Sequence, residues 1–292
     1  MNAYPVIPRI FRAYWLLPLF VLICLSGCTF NHIDDLHPSG PISRAIDELF
    51  WTTVALMSLI MIPVFSMTAW FIWHYRASNN QAQYSPDWDT SVVLEWLVWL
   101  FPAVIVLILT SMTWVFTHRL DPYKPIVATE SALEIQAIAM DWKWLFIYPQ
   151  QQIAVVNELT IPVGRPIAFK ITSNTVMNAF FIPRLGGQIN AMAGMETQLH
   201  LIADQSGDYF GENIQYSGRG FPFQHFIVHA TSSQDFTSWI AMLKQSPNKL
   251  DFQQFEQLAK PSVKDPVSYY AQVSPGLFQQ ILDQFKAKPN TH

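Results

Sequence analysis

The chain has 292 residues, of which 51% are hydrophobic, 14% aromatic and only 13% charged, with a formal net charge of −4. Soluble domains carry roughly 25% charged residues, so this composition excludes both a disordered chain and a uniformly water-soluble one. The weak negative charge offers no basic footprint, so no nucleic-acid partner is expected. The two cysteines, Cys24 and Cys28, stand four residues apart near the N-terminus. Beyond residue 28 this excludes a disulfide framework, a thiolate zinc site and an iron–sulfur cluster.

Residues 1–12 hold Arg9 and Arg12 and no acid, and residues 13–25 are nearly all apolar. A basic start, a short apolar stretch and small residues before a break describe a signal peptide, too short for a membrane span of about 20 residues. Its ending, Leu25-Ser26-Gly27-Cys28, resembles a bacterial lipoprotein signal. That resemblance implies removal of residues 1–27 and lipidation of Cys28; the alternative is an uncleaved anchor helix with an incidental cysteine. Residues 28–47, with Asp34, Asp35, Pro38, Gly40 and Pro41, are expected to form a linker without a core of its own.

A two-helix membrane hairpin is predicted for residues 48–118. Residues 49–75 carry no formal charge, and residues 91–117 carry one, Glu95. Each stretch makes about 40 Å of helix, enough to cross a hydrocarbon core of about 30 Å with tilt. Lipid leaves the backbone no partner but itself, so both must be helical. Pro63 and Pro102 mark expected kinks, and Trp51, Trp70, Trp73, Trp96, Trp99 and Trp114 suit interfacial belts. The competing reading is a buried hairpin of a soluble protein, which two uncharged stretches of this length disfavour. If Cys28 lies outside the membrane, two crossings return Arg119 and all that follows to the outer side.

Residues 119–232 read as β. Leu133, Ile135 and Ala137 alternate, Trp142, Trp144, Phe146 and Tyr148 continue at period two, and Ile167, Phe169 and Ile171 alternate again. Turn signals fall at Gly186-Gly187, Gly194, Ser206-Gly207 and residues 217–220. Short strands at this spacing predict a sandwich or barrel. Over residues 233–292 the period becomes helical, with Phe236, Trp239, Ile240 and Leu243, then Phe252, Phe255 and Leu258, then Leu277, Phe278, Ile281, Leu282 and Phe285. Pro247, Pro261, Pro266 and Pro275 separate the pieces of this helical arm.

Three segments carry a family resemblance: Met140-Asp141-Trp142-Lys143-Trp144, the stretch from Val176 to Ile189, and Tyr216-Ser217-Gly218-Arg219-Gly220-Phe221. With the signal, hairpin and arm, they resemble subunit II of the haem–copper terminal oxidases over nearly the whole mature chain. The resemblance implies a membrane-anchored α+β chain: a helical hairpin, a cupredoxin-type β-sandwich and a short C-terminal helical segment. In the cytochrome c oxidases of that family the sandwich holds dinuclear copper. Its ligand pattern is His, then about 35 residues on Cys-x3-Cys-x3-His-x2-Met, with a Glu between the cysteines. Here those positions are Asn178, Asn213, Ser217, Phe221 and Gln224, with Gln215 at the Glu. Every ligand side chain is missing, which matches the quinol-oxidising branch. That branch implies a subunit with no cofactor of its own, beside a subunit I carrying haems and copper and smaller membrane subunits. The complex would oxidise ubiquinol, reduce O2 to water and pump protons.

His225 and His229 share one strand face; exposed strand histidines are preferred over a metal pair. His200 is expected on the solvent side. Trp142 and Trp144 resemble the aromatic relay of the copper branch, but core packing is the preferred reading without copper. Met192 and Met195 read as loop packing rather than copper transport. Glu95 is an ionisable residue in a span, and hence a functional candidate. The family places a Glu at this point at the mouth of a proton-uptake channel; the bland alternative is a carboxylate at a helix N-terminus. Two rival functions are a lipid-anchored binding module and a copper electron-transfer subunit, the latter disfavoured by the missing ligands.

Overall fold

The computed structural model of the protein describes residues 38–83, 89–128 and 130–286. The expected signal peptide, Cys28, Asp34 and Asp35 lie outside these residues. Two long helices come first, α1 (Pro41–His74) and α2 (Val92–Arg119). Both run through their internal prolines, and the rest of the chain covers almost none of their apolar surface. A soluble hairpin would bury that surface, so a membrane anchor is the reading that fits. Helix α1 begins at Pro41, not at 48. Residues 38–47 are therefore no free linker: Ser39 and Ser43 are buried.

Among the described residues, eleven of thirteen strands make two packed sheets. One has the order β12-β3-β2-β1-β5-β8 and the other β4-β10-β9-β6-β7. In chain order the strands are β1 (Leu133–Met140), β2 (Lys143–Tyr148), β3 (Ile153–Val156), β4 (Glu158–Pro162), β5 (Ile167–Ser173) and β6 (Asn178–Phe181). Then follow β7 (Gln188–Ala191), β8 (Thr197–Leu201), β9 (Gly207–Asn213) and β10 (His225–Thr231). The core between the sheets is aromatic. Trp144, Phe146, Phe169, Phe180 and Phe226 meet in edge-on, tilted and stacked contacts. Sheets need one apolar face each, and the alternation of Leu133, Ile135 and Ala137 supplies it.

Past Ala137 the alternation stops because the other face is covered too. Ile138, Met140, Leu145 and Ile147 form a second core with the C-terminal arm. The arm holds α3 (Ser233–Leu243), whose Phe236 and Leu243 join the core between the sheets, and α4 (Phe252–Leu258) and α5 (Leu277–Lys286), which build the second core. Ser232 and Asp251 cap the first two by accepting from the amides of Asp235 and Gln254. Burial of an arm side chain such as Phe278 is worth roughly 1.5–3 kcal/mol. The arm is not purely helical, as the sequence suggested. It also carries β11 (Lys249–Leu250), β12 (Ser268–Tyr270) and β13 (Gln272–Val273), and β12 extends the first sheet by pairing with β3. Tyr269 and Tyr270 fall between prolines and fill no helical period, which is why they take an edge strand.

Tyr148 ties the sheets together. Its hydroxyl donates to the Thr160 carbonyl at 2.8 Å and accepts from the Thr160 amide at 3.0 Å, fully buried. Tyr148→Phe is expected to cost about 1–3 kcal/mol, since both Thr160 groups lose their partner. Burial pushes the Tyr148 phenol above its ordinary 10.0. Its contribution is therefore complete below pH 10 and is lost as the unfolded phenol ionises above it. Chemical unfolding from pH 8 to 11 should show a steeper alkaline fall for the wild type than for Tyr148→Phe.

Candidate functional site

The loops at one end of the sandwich bring together Asn178, Asn213, Ser217 and Gln224, four positions that the sequence resemblance aligned with copper ligands. Asn178 opens β6, Asn213 closes β9, and Ser217 and Gln224 bracket the loop before β10. Asn178, Asn213 and Gln224 are at most 3% exposed. They bond to one another. The Asn213 side-chain amide donates to Asn178 Oδ1 at 2.9 Å and to Gln224 Oε1 at 2.9 Å, with Ser217 Oγ at 3.2 Å. The Ser217 hydroxyl donates to Gln224 Oε1 at 2.8 Å. Asn213 Oδ1 accepts from the amides of Ala179 and Gln215 at 2.8 and 3.0 Å. Gln224 Nε2 reaches the Met140 carbonyl at 3.2 Å, and Asn178 Nδ2 the Val176 carbonyl at 2.8 Å.

This donor set does not fit dinuclear copper. Such copper wants thiolates and imidazoles, and here there are amides and a hydroxyl already engaged with each other. Phe221 starts a 3-10 turn (Phe221–Phe223), half-buried beside Tyr216. Gln215 is exposed and enters the network through its backbone. The network joins the β1–β2 turn, the start of β6 and the loop before β10.

Trp142 and Trp144 part company. Trp144 is wholly buried in the aromatic core, as packing required. Trp142 is not on a strand. It sits in the β1–β2 turn with φ 64° and lies on the glycine loop, its indole N–H donating to the Ser217 carbonyl at 3.0 Å. A Cβ on Gly220 would come within 2.1 Å of the indole ring, so only glycine permits the stack. Period-two counting across residues 142–148 hides the turn.

His200 is not on the solvent side. It is 8% exposed, and its amide donates to the Pro122 carbonyl at 3.2 Å, where the chain leaves α2. His229 stands between Asp208 (2.6 Å) and Glu158 (3.7 Å), while His225 stacks on Phe210. Among the described residues no cluster of three His, Cys, Asp or Glu side chains could hold a metal. Met195 is exposed in the β7–β8 loop. Glu95 lies in the first turn of α2, exposed, its amide donating to the Ser91 carbonyl at 2.9 Å. Sequence reasoning missed Lys143, which is 2% exposed. Its ammonium donates to Asp265, Ser262 and, at 3.1 Å, the Lys260 carbonyl.

A membrane-type helical hairpin bearing a two-sheet sandwich defines the class of membrane-anchored, cupredoxin-type subunits. Residues 111–231 match the family model for the periplasmic domain of cytochrome c oxidase subunit II, and residues 244–288 match the aromatic-rich motif of the same oxidases. Cytochrome bo(3) ubiquinol oxidase subunit 2 of Pseudomonas putida is 46% identical over 94% of this chain and 87% of its own. Ubiquinol oxidase subunit 2 of Acetobacter aceti is 46% identical, covering 90% and 85%. Quinol oxidase subunit 2 of Bacillus anthracis is 35% identical, covering 86% and 88%. The chain belongs to the cytochrome oxidase subunit II family, in its quinol oxidase branch, and is thus a subunit of an oxidoreductase complex.

Proposed function

We propose that this chain is the scaffold subunit of a proton-pumping ubiquinol oxidase that reduces O2 to water. The observation that carries the reading is the closed amide network at the copper-ligand positions. A quinol delivers its electrons from within the membrane, so no soluble donor and no copper relay are needed. The haems and copper then reside in subunit I, held beside smaller membrane subunits. The chain lies in a bacterial cytoplasmic membrane, anchored by lipid on Cys28 and by two spans, with the sandwich on the outer side. The orientation follows from the lipoprotein reading: with Cys28 outside the membrane, two crossings return the sandwich to the outer side. Purified complex should oxidise ubiquinol and show haem absorbance, with no copper bound by this subunit. Turnover with reduced cytochrome c but not with ubiquinol would overturn the reading. Peptide mass spectrometry should find residue 28 as a lipidated N-terminus.

Glu95 then begins α2 about one turn inside the cytoplasmic surface, where it admits protons to the channel of subunit I. A carboxylate in a span must be solvated or paired, and a proton path supplies both. Glu95→Gln should lower ubiquinol turnover at unchanged haem content, with Glu95→Asp retaining more. Full turnover of assembled Glu95→Ala would leave Glu95 a merely interfacial residue.

A further inference from the structure

We infer that residues Ser39–Arg44 bolt the first membrane helix to the sandwich, so that α1 and the outer domain move as one body and fix the pitch of that domain over the bilayer. The contact is made mostly by backbone. The Ser39 amide donates to the Arg184 carbonyl at 2.8 Å, and the Asp204 amide donates to the Ser39 carbonyl at 2.8 Å. Ser39 thus bridges the β6–β7 and β8–β9 connections and is wholly buried. Ser43 Oγ then closes the helix start, accepting from the Gly40 amide at 3.2 Å and donating to the Gly40 carbonyl at 3.0 Å.

Two glycines make the approach possible. A Cβ on Gly40 would come within 2.5 Å of the Ile202 carbonyl oxygen, and a Cβ on Gly186 within 2.8 Å of the Ser43 amide nitrogen. Gly40 has φ −151°, extended backbone that any residue adopts, so its need for glycine is steric alone. Arg44 adds an ion pair with Asp204. With the Arg44 side chain 52% exposed, that pair is a minor contributor beside the backbone contacts. The exit from α2 arrives at the same place, because His200 of β8 takes Pro122. Both helices therefore meet the sandwich at β8 and the loop after it, His200–Asp204. The bolt is a positioning device: it touches no reacting group, and it sets where the loop end of the sandwich sits above the partner subunits.

Gly40→Val tests this in the full chain within the purified complex. With nitroxide labels at the exposed residues Glu48 and Lys249, the wild type should give one narrow distance. Gly40→Val should lose it and give a broad distribution. Ubiquinol turnover per haem should then fall several-fold, since ångström misplacements are costly for catalysis. The turnover result rests on the oxidase reading above; the distance result does not, so the two can fail separately. If Gly40→Val prevents assembly, Gly40→Ala, whose single Cβ still meets the Ile202 carbonyl oxygen at 2.5 Å, is measured with the same labels on the full chain in detergent, where it should broaden the distance. A narrow, unshifted distance in these variants would overturn the bolt. A broad distance with unchanged turnover per haem would overturn its positioning role.

Discussion

Asp265→Ala is expected to cost the full chain about 3 kcal/mol or more, the cost of removing one partner of a buried ion pair. The Lys143 ammonium is left under the arm with only the Ser262 hydroxyl and the Lys260 carbonyl. Asp265 also presents its carbonyl to Asn157 Nδ2 at 2.9 Å, and Asn157 Oδ1 accepts from the Trp144 amide at 2.9 Å. The segment from Lys260 to Asp265 is thus the clamp between arm and sandwich. Hydrogen exchange should show the arm opening first, over residues 249–286, while β5 and β10 keep their protection. Lys143→Met added to Asp265→Ala should recover most of the loss, because a buried pair replaced by apolar groups is often neutral. Equal exchange in the arm before and after Asp265→Ala would show that the clamp lies elsewhere.

The sequence made the order of parts legible because each obeys a simple period. Uncharged stretches of membrane length gave the helices, and period-two alternation gave β1 and β5. The three arm helices followed from apolar residues at helical spacing. What stayed hidden depends on long-range partners. Ile138 and Met140 break the alternation because an arm more than a hundred residues away covers that face. Lys143 reads as a surface charge until Asp265 is placed against it. Residues 38–44 look like a polar linker, and only the Ile202 carbonyl above Gly40 shows why they pack. Of the loop site, the spacing of 35, 4, 4 and 3 residues assembled the four polar positions through family resemblance. Which atoms of these side chains bond to one another was not legible, since amide side chains at turn positions are ordinary surface residues in most chains.

Asn213 is the hub of that network, and its removal is the sharpest test of a polar lock. Asn213→Ala takes two acceptor bonds from the amides of Ala179 and Gln215, and takes the donor from Asn178 and Gln224. Each buried group left without a partner costs roughly 1–3 kcal/mol, so a total of about 3 kcal/mol is expected after local relaxation. Asn213→Asp separates the two halves of the amide. It keeps an acceptor for the two backbone amides but sets a carboxylate oxygen against Asn178 Oδ1 and Gln224 Oε1. The charged form should therefore be destabilised in the fold, which raises the folded pKa of the new acid above its unfolded value near 3.9. Stability relative to wild type should then recover as the pH falls toward that range, where the protonated acid donates again. Thermal unfolding of the full chain at pH 7 and near pH 4.5 reads both effects. A loss under about 0.5 kcal/mol for Asn213→Ala would mean the three loops hold their register through backbone and aromatic packing alone.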